Sequence, residues 1–412
     1  MEEKKTSNAL NTIKAVLKSN TMLFVLVGVM ILFEVLIRAS GHGSLFAPAN
    51  ITNIIRQNAY VAILATGMLL CILTGGNIDL SVGSVVALVG ALAGVFIVNW
   101  GWPIWLAVLA CLIIGTAIGA FHGFFIAFIH IPPFITTLAG MLLWRGVATI
   151  VLDGRPISPF PEKYLNLFES YIPKAGDEDI ELLGGWVDKQ ILITTLIVTL
   201  ICILAYVVLE IISRRNKIKK NYTVQSRGSF IAKLIVLSIV IFIIGQFLAR
   251  DRGLPVVLIL LGVIIAAYSY FTQNTVPGRY LYAIGGNEKA AKLSGVNTNN
   301  VMFFAYTNMG FIAAIAALVT IARMNSAQPT AGQNYEMDAI ASCFIGGASA
   351  YGGTGTVGGA VVGAIFMGVL NNGMSILGVD MNWQRAVKGT VLLAAVIFDV
   401  VSKQKKATKK KA

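Results

Sequence analysis

The strongest constraint on this chain is the recurrence of apolar runs close to the length of a bilayer. They fall at 21–38, 58–74, 82–99, 103–122, 134–152, 190–212, 231–249, 254–272, 301–322, 338–348, 356–372 and 384–401. A membrane helix needs about 20 apolar residues, and lipid offers backbone groups no hydrogen-bond partner, so such runs must be helical. Only 12% of the 412 residues are charged, and the mean hydropathy is +0.77. Both values lie outside the range of soluble domains. The reading is an all-α, polytopic integral membrane protein with ten to twelve spans, in which the run at 338–348 is too short to cross alone.

One run pair is broken by a polar segment. Thr74–Ser84 lies between the uncharged stretches Ala59–Leu73 and Val85–Val98. Gly75 and Gly76 cannot sustain a good helix, because glycine loses the most backbone entropy on ordering. Asn77, Asp79, Ser81 and Ser84 bring side-chain oxygens to the groups the break frees, and Ser81 or Asp79 is expected to cap a helix restarting at Val82. A second break, Ile345–Gly359, repeats the pattern: Gly346-Gly347 answers Gly75-Gly76, and an apolar Gly-Ala-Val-Val-Gly-Ala run follows. Two glycine-interrupted segments in corresponding places point to an internally duplicated transporter whose pathway runs along the breaks. The alternative is that these glycines only allow close packing.

The net charge of +13 does not indicate nucleic acid, because the basic residues cluster in loops and tails. Arg214, Arg215, Lys217, Lys219, Lys220 and Arg227 place a loop at about 213–230 in the cytoplasm. Lys403, Lys405, Lys406, Lys409, Lys410 and Lys411 do the same for the tail at 402–412, where contact with anionic lipid is expected. The loop at about 153–189 carries Asp177, Glu178, Asp179 and Glu181 and is expected outside, solvated or docking a basic partner. The polar segment 1–20 reads as a cytoplasmic tail rather than a signal peptide, and Met22–Ile37 as a retained first span with Glu34 near its outer end. The membrane domain is then 21–401. On this count both breaks follow an out-to-in segment and precede an in-to-out one, so the repeat is a parallel one.

Chemistry at a conventional active site is not visible. Cys71, Cys111, Cys202 and Cys343 each sit in an apolar run and read as small buried hydrophobes. His42, His122 and His130 are scattered, lack metal-ligand spacing and read as loop or interface residues. No phosphate-binding Gly-x-x-x-x-Gly-Lys-Ser/Thr loop and no nucleophile–base pair is present, so the chain has no ATPase site of its own and calls for no cofactor or metal. Asp79 is the best candidate for an ion-coupling group.

The segment 275–300 is expected on the cytoplasmic side as a structured loop. Asn287 or Gly286 suits the start of a short helix, Glu288 its first turn and Gly295 its end. Ala290, Ala291, Leu293 and Ser294 give a small surface fit for a groove on another protein. Glu288…Ala290-Ala291-x-x-x-Gly295 resembles the coupling-loop signature of ABC importer permeases. Together with Gly-Gly-Asn-Ile-Asp-Leu-Ser at 75–81, Gly278-Arg279-Tyr280 and Gly346-Gly347, it resembles the ribose/xylose/arabinose/galactose permease family, from about Asn50 to Val401. The longer segment 153–273 resembles the xylose or multiple-monosaccharide branch. The resemblance implies a homodimeric permease in a bacterial cell membrane, both termini cytoplasmic. It also implies a double-domain ABC ATPase on the cytoplasmic face and an extracytoplasmic sugar-binding protein. An ion-coupled transporter and a permease for branched-chain amino acids are the alternatives.

Overall fold

A computed structural model describes residues 21–172, 193–219 and 227–411. The chain forms α1 (Thr21–Ala39), α2 (Pro48–Gln57), α3 (Ala59–Leu73), α4 (Val82–Gly94, extended by a wider turn to Asn99), α5 (Ile104–Ala127), α6 (Pro133–Val151) and α7 (Glu162–Phe168). It continues through α8 (Ile193–Lys219), α9 (Arg227–Ala249), α10 (Val256–Asn274), α11 (Val276–Gly286), α12 (Glu288–Leu293), α13 (Thr298–Met324), α14 (Tyr335–Ile345), α15 (Val357–Ile376) and α16 (Met381–Lys411). Two two-residue strands, β1 (Tyr171–Ile172) and β2 (Leu254–Pro255), pair antiparallel and tie the segment after α7 to the start of α10.

Among the described residues eight helices are long and apolar enough to cross a membrane, or nine if α2 and α3, bent by 41° at Asn58, count as one span. That is fewer than the ten to twelve read from the sequence. The α14 helix has 11 residues and cannot cross alone, as its short run implied. At the bend, the Asn58 side chain donates to the Ile54 carbonyl at 3.0 Å and accepts from Asn371 at 3.1 Å, so the kink is held by polar groups.

Every residue of α3 is buried, and α10, α13, α14 and α15 pack around it. The tightest helix contact lies between α5 and α13. Gly115, Gly119 and Gly123 recur at four-residue spacing, and a Cβ on Gly119 would stand 2.8 Å from the Thr307 carbonyl oxygen and 2.9 Å from the Gly310 Cα. Small residues let membrane helices approach backbone to backbone. By contrast only 11% of the apolar window of α8, and of α9, is buried, so their flanks are left to lipid.

Several expected boundaries shift. The α8 helix runs through Lys219, which puts Arg214 and Arg215 on its last turns rather than in a loop. The α16 helix likewise continues to Lys411, through what reads in the sequence as a tail. Glu34 pairs with Arg38 and accepts from Ser44 Oγ at 2.9 Å and the Leu45 amide at 2.8 Å, fastening the turn after α1. The segment 1–20, the acidic cluster Asp177–Glu181 and Lys220 lie outside the described residues.

Candidate functional site: two helix breaks against one loop

At the first break α3 ends with Thr74 bonded back to the Cys71 carbonyl, and Gly75 and Gly76 turn the chain at φ +131° and +76°. Asn77 folds back on Thr74 Oγ1 at 3.2 Å. Asp79 is 2% exposed, and its Oδ1 accepts from both the amide and the hydroxyl of Ser81, at 2.8 and 2.6 Å. The capping role is thereby divided. Ser81 stands at the start of α4 but makes no side-chain cap, whereas Asp79 takes up the Ser81 amide. The Ser84 hydroxyl is buried without a hydrogen-bond partner among the described residues.

A string of polar groups continues from Ser81. Its hydroxyl lies 3.3 Å from His122 Nδ1, and Trp144 Nε1–H donates to His122 Nε2 at 2.9 Å. An Nε2 that accepts leaves the proton of a neutral ring on Nδ1, where it points at Ser81. The direction is therefore Trp144 to His122 to Ser81 to Asp79. His122, read as a loop or interface residue, instead lies inside α5 at 1% exposure. Gly140 on α6 leaves the space its ring occupies.

The second break is built differently. Gly347, Gly352, Gly353 and Gly355 all have positive φ, a backbone state that side chains disfavour. Ser349 Oγ accepts from the Tyr351 amide at 3.1 Å, Thr356 Oγ1 caps α15 through the Gly359 amide at 3.0 Å, and Asp399 of α16 accepts from the Ala350 amide at 3.2 Å.

The two breaks touch. The Leu73 carbonyl accepts from the Gly353 amide at 3.0 Å, and a Cβ on Gly76 would overlap the Ala350 carbonyl. The helices before them run parallel and in contact: Tyr60 stacks on Tyr335 at 3.6 Å, and Cys343 Sγ lies 3.3 Å from the Ala65 carbonyl. After the breaks the likeness stops. The α15 helix folds back on α14, with Gly346 and Gly359 backbone to backbone, whereas α4 leaves α3 and packs on α6 and α13.

The segment 275–300 closes the same site. Thr275 caps α11 through the Gly278 amide at 3.1 Å, and Asn287, rather than Gly286, caps α12 through the Ala290 amide at 3.0 Å. Gly295 follows α12 at φ +85°, as its place at the helix end implied. Tyr282 donates to the Gly355 carbonyl at 2.9 Å. One expectation is corrected: Ala291 does not face outward but packs on Ile284, Val296 and Val301 of its own chain. The outer surface is made by Glu288, Ala290, Ser294 and above all Leu293, which is 89% exposed. Arg279 is exposed, and Tyr280 lines a groove of about 240 Å³ with Pro277, Asn297, Asn300, Val301 and Phe304.

Charged residues inside other apolar runs, not singled out from the sequence, add to these polar groups. Asp338 on α14 is 1% exposed, accepts from Tyr60 Oη at 2.7 Å and pairs with Lys388 of α16 at 3.0 Å. Arg145 on α6 donates to the Pro329 carbonyl at 3.0 Å. The available signal was an ionisable residue within a hydrophobic run, the same one that singled out Asp79. Among the described residues no group of three or more His, Cys, Asp or Glu side chains could hold a metal ion.

The family model described as branched-chain amino acid transport system / permease component matches residues 50–158 and 183–396. The chain is 33% identical over 386 residues to the xylose transport system permease protein of Escherichia coli K12, covering 94% of this chain and 93% of that one. It is 34% identical over 384 residues to the same-named protein of Haemophilus influenzae Rd, covering 93% and 96%. To the ribose import permease protein of Escherichia coli K12 it is 35% identical over 354 residues, 86% of each chain. No solved structure matches.

Proposed function

This chain belongs to that permease family, a multi-pass membrane protein and transport subunit rather than an enzyme, and from that premise we propose that it carries a monosaccharide across the inner membrane of a bacterium for an ATP-driven, receptor-fed importer. The observation that carries the proposal is the meeting of both helix breaks with α11, beside an exposed short helix, α12. A pathway needs irregular backbone at membrane depth, which is tolerated only where protein or a wet cavity satisfies it. The two breaks supply such backbone, and the similarity to xylose and ribose permeases favours a pentose as cargo.

The partners follow from what this chain lacks. It holds no phosphate loop, so hydrolysis falls to an ABC ATPase on the cytoplasmic side, which both termini share. The exposed edge of α12 would seat in a groove on that ATPase, with Leu293 as its apolar anchor in place of Ala291. An ATPase with two nucleotide domains presents two grooves, so two permease copies related by a two-fold axis complete the assembly. An extracytoplasmic sugar-binding protein delivers the cargo.

Reconstitution in lipid vesicles with ATPase and receptor tests the reading. Uptake of labelled xylose or ribose should require ATP and persist when only the proton gradient is removed. Uptake that follows the proton gradient and ignores ATP would instead favour ion coupling, a reading supported by the buried string from Trp144 to Asp79. Uptake of leucine but of no sugar would assign branched-chain amino acids as cargo. A purified, active complex with a single permease copy would contradict the dimer. Leu293→Asp should weaken ATPase binding by about tenfold at unchanged membrane level, as loss of an interface anchor does.

A further inference from the structure

We propose that Tyr282 and Gly285, one turn apart on α11, form the joint through which the ATPase-facing loop moves the second helix break against the first, an inference that rests on the importer reading above. Tyr282 is half-buried, and its hydroxyl donates to the Gly355 carbonyl in the second break at 2.9 Å. Gly285 touches both breaks at once: a Cβ there would overlap the Leu73 carbonyl oxygen and the Gly353 amide nitrogen. Those two groups are bonded to each other at 3.0 Å, so one turn of α11 bears on the hydrogen bond that joins the breaks.

The elements on either side decide where a push would go. The α11 helix is capped by Thr275 and buries Leu281 and Ile284, so it moves as a unit. The α3 helix is buried at every residue, and close-packed cores yield little. The loop 346–356 is the softer body, turned by glycines and fastened mainly through its backbone groups. A shift of α11 is therefore passed to this loop, which moves against the end of α3 at the Gly353–Leu73 hydrogen bond. Tyr282 and Gly285 are positioning residues in this scheme and need touch neither ATP nor sugar.

The readout is sugar taken up per ATP hydrolysed, in vesicles holding permease, ABC ATPase and sugar receptor, with ATPase co-purification measured alongside. Tyr282→Phe keeps the ring and removes one hydrogen bond. It should leave ATPase binding and receptor-independent hydrolysis at wild-type level while the sugar-to-ATP ratio falls roughly three- to tenfold. Gly285→Ala forces the joint apart and should lower the ratio by roughly tenfold or more. Gly262→Ala on α10, where a Cβ meets no atom within 4 Å, should keep the wild-type ratio. Wild-type ratios for both Tyr282→Phe and Gly285→Ala would overturn the joint while leaving the importer reading intact. So would a parallel loss of ATPase binding, hydrolysis and uptake, which would make α11 a docking surface instead. Wild-type vesicles that take up no sugar on ATP would overturn the importer reading, and the joint with it.

Discussion

The two breaks share a glycine pair in sequence and a contact in space, yet they are held by opposite means. The first is held by side chains: Asp79 and Ser81 are buried and bonded to each other, and His122 and Trp144 continue the string into α5 and α6. The second, turned by four positive-φ glycines, is held largely through its backbone groups: α3 bonds Gly353, α11 bonds Gly355 and Asp399 of α16 bonds the Ala350 amide. After the first break the chain departs to new neighbours, and after the second it folds back on itself. A satisfied buried polar network rigidifies, whereas a glycine-rich loop keeps conformational freedom. The first break therefore suits a fixed element and the second a moving one, so a repeated sequence need not carry a repeated role.

Substitutions at matched positions probe this division. The largest effect is expected at Asp79. Asp79→Leu strands the Ser81 amide and hydroxyl in a buried site, at about 1–3 kcal/mol each, and thermal unfolding in detergent should show a sharply lowered midpoint with uptake lost. Asp79→Asn keeps an acceptor at Oδ1 and should retain most uptake. A folded, assembled but inactive Asn variant would show that charge matters there, and would turn the first break from scaffold into working part.

Next come the glycine pairs, which should prove unequal. In Gly76→Ala the new Cβ combines positive φ with overlap on the Ala350 carbonyl, about 1–2 kcal/mol for the backbone and about 1–3 for overpacking. Gly347→Ala meets no atom within 4 Å and bears only the backbone cost, about 1–2 kcal/mol. Equal losses of stability in the two variants would remove the asymmetry. His122→Phe should cost about 1–3 kcal/mol by leaving the Trp144 indole N–H unpaired, while Ser81 keeps Asp79. A shift in unfolding midpoint with normal uptake per folded molecule would place His122 on the fixed side.

The smallest change is expected at Asp399. Asp399→Ala removes the acceptor for the Ala350 amide, at about 1–2 kcal/mol, and should alter transport rate more than unfolding midpoint if the second break is the mobile one. The reverse order would assign the second break a scaffold role.

Much of this is legible in one dimension. Apolar runs, charge asymmetry and glycine pairs specify a helical membrane protein, its breaks and the caps of α12, because these depend on local composition and backbone preference. Asn287 and Gly295 sit where their chemistry implied, whereas the Thr275 cap of α11 emerges only from the structure. The Gly115, Gly119 and Gly123 spacing was also there to be read and marks the α5–α13 contact. Partnership was not legible. In a membrane, core and lipid-facing helices are both apolar, so hydropathy cannot separate the wholly buried α3 from the largely exposed α8 and α9. Small residues in α3 hint at close packing, but which helix fills the space depends on contacts distant in sequence. Asp338 finding Lys388, His122 finding Ser81 and Ala291 turning inward are of this kind. Each is set by which helices meet, because a buried polar group is satisfied only by a neighbour the fold brings to it, and residue type states the need without naming the partner.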